Sequence, residues 1–106
     1  MKFIIVSITV AAGLAFAGSS ISAEMPAVAK KNVCAACHSI DKKLVGPAWQ
    51  AVADKYKGDA GAADMLMAKI AKGGKDVWGK IAMPPQPKLN EADNKEIVEF
   101  ILGLAK

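Results

Sequence analysis

The chain has 106 residues, 53% hydrophobic and 23% charged, which bounds it to one small domain. All 14 basic residues are lysine, and the formal net charge is +4. Scattered lysines among so few aromatics exclude a nucleic-acid signature, and a balance this modest favours weak docking to acidic partners.

At the N-terminus, Lys2 precedes an almost unbroken apolar run, Phe3 to Phe16, and small residues follow up to Ala23. This predicts a secretory signal over 1–23, cleaved after Ala23, with the domain over 24–106. Ile21 is bulky for its place before the cut. The run is short of the about 20 residues a membrane span needs, so no span is expected after cleavage. The leader raises the mean hydropathy and directs the chain to an oxidising compartment, the periplasm.

Pro26 suits a first helical turn, and the spacing predicts a helix from Ala27 running into Cys34. Ser39 to Gly46 reads as a charged loop and Val45-Gly46-Pro47 as a turn. A short helix is expected over Ala48 to Tyr56, with Trp49, Val52, Ala53 and Tyr56 on one face. Gly58 to Gly61 breaks it. Ala62 to Lys72 is rich in helix formers, with Leu66, Met67 and Ile70 apolar, and Gly73-Gly74 ends it. From Lys75 to Asn90, Pro84-Pro85 excludes a helix interior, leaving a loop long enough to suspect of function. Asn90 is an N-cap with Glu91 and Asp93 in the first turn. Ile97, Phe100, Ile101 and Leu104 then recur at helical spacing. No strand alternation is present, and the expected class is all-α.

Cys34-Ala35-Ala36-Cys37-His38 is a C-x-x-C-H sequence, the attachment signature of a c-type haem. On a helix, the two thiols would lie three residues apart on one side, as two neighbouring vinyl groups require. His38 is then placed to bind iron from one face. A thioredoxin-like pair needs a βαβ context, which is missing. Zinc needs four ligands, and two Cys with one His fall one short. A disulfide is chemically open but leaves His38 without a role. A covalently held haem would also give so small a chain an apolar body to pack around.

With one histidine in the chain, the second iron ligand is a methionine (25, 65, 67 or 83), a lysine, or none. Met65 and Met67 lie in a predicted helix and read as core filling. Met83 lies in the proline-braced loop, which suits a held thioether. Trp78 is either core or, if buried, an N–H donor to a haem propionate. Trp49 reads as core or haem-edge packing. Saturated iron describes a one-electron carrier and not an enzyme. An open distal site would instead describe a ligand-binding or enzyme-accessory haem protein.

Beyond the haem motif, Val45-Gly46-Pro47-Ala48, Lys72-Gly73-Gly74, Val77-Trp78-Gly79 and Met83-Pro84-Pro85 follow in order and spacing. In these the chain resembles the class I cytochromes c, specifically the bacterial c-551/c-552 group, over nearly all of 24–106. The resemblance implies a small all-α fold with crossing N- and C-terminal helices and loops wrapped around one covalent haem c. It implies His38 as proximal ligand, with its other ring nitrogen bonded to the Pro47 carbonyl, Met83 as distal ligand, and Trp78 at a propionate. It also implies redox protein partners: a membrane cytochrome complex as donor, and a terminal oxidase, peroxidase or reductase as acceptor, met as a monomer. Three positions depart from the pattern. Lys69 stands where relatives often carry Arg, Gln86 where Asn often follows Met-Pro-Pro, and Ala29 where an aromatic packs the helix crossing.

Overall fold

The computed structural model describes Gly13 and residues 23–106; apart from Gly13 and Ala23, the expected leader lies outside the described residues. Four α-helices follow in order: α1 Ala27–Lys31, α2 Trp49–Lys55, α3 Ala62–Lys72 and α4 Glu91–Leu102. Among the described residues there is no strand, only the isolated antiparallel bridges His38–Lys43 and Gly74–Met83. The all-α class holds.

α4 is the element the others pack on. It touches α1, α2 and α3, which places the N-terminal and C-terminal helices in contact. Its start is set by Asn90, whose side-chain oxygen accepts from the Asp93 amide at 2.8 Å. Its buried stripe is Asn94, Ile97, Val98 and Ile101, at i, i+3, i+4 and i+7. This shifts the expected stripe. Val98 is buried; Phe100 is half-buried, with its ring edge-on to Trp49 at 5.9 Å; Leu104 lies beyond the helix. Met25, Ala29, Trp49, Val52 and Ile70 complete the core. Ala29 is fully buried, so the small side chain lets α1 approach α4 closely.

The expectation that α1 runs into Cys34 is not met. α1 stops at Lys31, Val33 takes φ 56°, and Cys34–Ala36 form a separate 3₁₀ turn. The local cause is Asn32. Its side-chain amide donates to the Val28 carbonyl at 2.7 Å and competes with the helix backbone for it. A β-branched residue at positive φ is strained and persists only where its surroundings fix it. Here the Val33 amide donates to the Lys30 carbonyl at 3.2 Å and its carbonyl accepts from the Ala36 amide at 3.1 Å. The Cys37 and His38 amides both donate to the Cys34 carbonyl, at 3.2 and 2.9 Å, and close the turn.

α3 ends where expected. Gly73 has φ 79° and ψ 177°, a conformation open almost only to glycine. The chain then turns into the long loop, which is tied back by three backbone bonds. Met83 and Gly74 exchange amide-to-carbonyl bonds of 2.7 and 3.2 Å, and the Gln86 amide donates to the Ile70 carbonyl at 3.0 Å.

Candidate functional site

The 3₁₀ turn, α2, α3 and the long loop enclose a cleft of about 890 Å³, counting the space that opens to solvent. Its lining is overwhelmingly apolar, and Cys34, His38, Pro47, Trp78 and Met83 are all part of it. Of the sequence-predicted residues only Cys37 stands outside the lining; it is half-buried at the end of the 3₁₀ turn.

His38 is held from three sides. Its Nδ1 lies 2.8 Å from the Pro47 carbonyl oxygen. A carbonyl can only accept, so Nδ1 carries the proton and Nε2 keeps its lone pair for a metal. Gly46 lies flat against the ring: a Cβ there would stand 2.5 Å from Cε1. Trp49, only 3% exposed, backs the site with its ring centroid 6.0 Å from that of His38. The turn carrying Gly46 and Pro47 is anchored by the Gly46 amide on the Cys37 carbonyl at 2.8 Å. The Trp49 and Gln50 amides, at the start of α2, donate to the Ser39 and Ile40 carbonyls.

Met83 is half-buried, and its backbone is fixed against Gly74. The close approach depends on Gly73, where a Cβ would come within 2.6 Å of the Met83 carbonyl oxygen. Of the other methionines, Met25 is buried in the core and is absent from this cleft. Met67 packs on the core as expected. Met65 does not fit the core reading: it is half-buried and lines the cleft.

Trp78 is 39% exposed, so it is no core residue; it forms part of the cleft wall. A tight turn presents it, with the Asp76 amide on the Gly79 carbonyl at 2.9 Å and both residues at positive φ. The Lys55 ammonium lies 5.6 Å from the Trp78 ring centroid and 5.8 Å from that of Tyr56, within cation–π reach of both. Among the described residues nothing accepts from the indole N–H. Lys69 lines the same wall, its stem folded over Gly74. The Gln86 side chain donates to the Pro84 carbonyl at 3.4 Å and is occupied locally.

Burial pushes the Cys34 thiol up, outweighing a backbone hydrogen bond that lowers it. A thiol made less acidic is a poor redox nucleophile, which disfavours the thioredoxin-like reading. An imidazole with a directed lone pair, a soft thioether, two thiols and an apolar cleft are together the donor set that suits a covalently attached haem. The lone N–H of Trp78 and the ammonium of Lys69 add donors for its carboxylates.

The comparisons agree. The family model described as Cytochrome c matches residues 22–105. The cytochrome c-552 of Hydrogenobacter thermophilus is 41% identical over 97% of each chain. The cytochrome c-551 of Stutzerimonas stutzeri is 40% identical, over 98% of this chain and 99% of its own. The crystal structure of Nitrosomonas europaea cytochrome c552 superposes with a TM-score of 0.71 at 45% identity, covering 73% of this chain and 95% of that one. The chain therefore belongs to the cytochrome c family, in its small class I c-551/c-552 group, and is an electron carrier with one haem c and redox protein partners, not an enzyme.

Proposed function

We propose that this chain is a periplasmic one-electron carrier in which Cys34 and Cys37 would hold the haem covalently and His38 and Met83 would ligate its iron. The observation that carries the reading is that His38 and Met83 line one apolar cleft, the His38 ring held by the Pro47 carbonyl and the Met83 backbone by Gly74. Haem c supplies a single ferric/ferrous couple.

The chain's residues make that couple usable. Pro47 and Gly46 hold the imidazole in one tautomer and one orientation. The Gly74 bridge and the fixed φ angles of Pro84 and Pro85 limit the conformations open to Met83. Two ligands that stay in place in both oxidation states leave little to reorganise on electron transfer. The thioether favours the ferrous state, which raises the potential. The apolar walls keep water from the centre. Trp78 and Lys69, on the cleft wall, would supply an N–H and a charge to the propionates.

The expected donor is a membrane cytochrome complex, and the expected acceptor a terminal oxidase, peroxidase or reductase. A monomer with a small contact area suits fast release. Export follows from residues 1–23 being removed as a signal. The ferric absorption spectrum of the purified holoprotein tests the ligation. A weak band near the red end, lost in Met83→Ala, supports it. A wild-type protein without that band and open to cyanide overturns it in favour of a ligand-binding haem protein.

A further inference from the structure

Asn94 interrupts the apolar stripe of α4. It is 5% exposed and lies between α4 and α3. Its side-chain nitrogen donates to the Met67 carbonyl of α3 at 2.9 Å, while its side-chain oxygen, equally buried, has no partner. A leucine at this place would continue the stripe and leave nothing orphaned. A half-satisfied buried amide costs stability, so its use must lie in what its one bond specifies.

That bond fixes the position of α3 along α4. Among the described residues it is the one side-chain hydrogen bond between the two helices. Apolar contacts alone tolerate sliding; a hydrogen bond to one carbonyl does not. The backbone bonds that hold the Met83 loop hang from the far end of α3. The Ile70 carbonyl takes the Gln86 amide, and Gly73 leads directly into the Gly74–Met83 bridge.

We infer that Asn94 is a positioning residue for the Met83 loop, acting through the Met67 carbonyl and the register of α3. The inference rests on the proposed ligand role only for its consequence at iron; the placement of the loop is tested separately. In the holoprotein, Asn94→Leu should keep or raise the unfolding midpoint. The Met83 and Gln86 amide protons should nevertheless exchange roughly fivefold faster, the equilibrium weight of one net hydrogen bond. Ile97 and Val98 should keep their protection. If the leucine variant does not fold with haem, Asn94→Ala carries the same exchange expectation without added bulk, with the unfolding midpoint lowered by the cavity it leaves. Met83 and Gln86 exchange rates equal to wild type, or a rise shared equally by Ile97 and Val98, would overturn the inference. The ferric thioether band, weaker in Asn94→Leu than in wild type, reads the consequence at the ligand. Its absence already in wild type would sink the Met83 ligand reading while leaving the exchange result to decide the role of Asn94.

Discussion

The Nδ1 of His38 donates to the carbonyl of Pro47, 2.8 Å away, across a loop whose Gly46 has no room for a side chain. The bond sets the tautomer and Gly46 sets the ring plane. Gly46→Ala puts a Cβ into the imidazole and must push the ring or the loop away. We expect a loss of about 1–3 kcal/mol, the usual cost of overpacking. Chemical denaturation of the holoprotein measures it, and a lowered potential would report the turned ring.

Met83→Ala should keep the haem, because the thioethers belong to Cys34 and Cys37. It should remove the ferric thioether band, lower the potential and admit cyanide or carbon monoxide. Met67→Ala, half-buried on the core, should cost no more than the low end of the roughly 2–5 kcal/mol of a buried methionine, with the band kept. Met65→Ala is the sharper control, since Met65 lines the same cleft. A band that survives Met83→Ala and disappears in Met65→Ala would transfer the ligand role.

Gly73→Ala combines two penalties: a φ of 79° and a Cβ 2.6 Å from the Met83 carbonyl oxygen. The backbone conformation alone should cost about 1–3 kcal/mol. Because the clash falls on Met83, the thioether band should weaken along with stability. A variant destabilised with a full band would mean that the loop moves as a body.

Trp78→Phe keeps the bulk of the cleft wall and removes its N–H. A propionate deprived of a donor holds its proton more tightly, so its pKa rises. The pH-dependent part of the reduction potential should move to higher pH. Potentiometric titration from mildly acidic to neutral pH checks this, and an unchanged profile would leave Trp78 as wall alone.

Lys75 and Lys80 are exposed beside Ala82 and Pro84, and Ala35 and Ala36 are exposed on the 3₁₀ turn. Reversing Lys75 and Lys80 to Glu should slow association with an acidic redox partner, mostly at low ionic strength. Stopped-flow rates that stay equal in dilute buffer would move the docking face elsewhere.

Much of the site was legible because its signals are local. The C-x-x-C-H spacing, the Asn90 cap, the Gly73 stop and the Pro84-Pro85 brace each act within a few residues of chain. Trp78 shows where such signals stop. Whether it is core or wall depends on what the 75–90 loop packs against, and periodicity is silent inside a loop. Met65 and Met67 share a helix and a composition. Only the rotation of α3 against α4 turns one to the cleft and the other to the core. Asn94 passed unnoticed because a polar residue in a first helical turn reads as surface.

By itself, the sequence determined the helical class, the position of α2, α3 and α4 to within a residue or two, the haem-binding motif and the single histidine that follows it. These follow from propensity, capping and covalent spacing, which need no partner from afar. The tertiary structure decided the rest: the break of α1 at Val33, the buried face of α4, the bridge that pins Met83, and the Asn94 bond across α3. Each joins groups from different segments or lets packing override local preference. Such pairings gain free energy only once the chain has closed the loops between them, so no short window of sequence contains their cause.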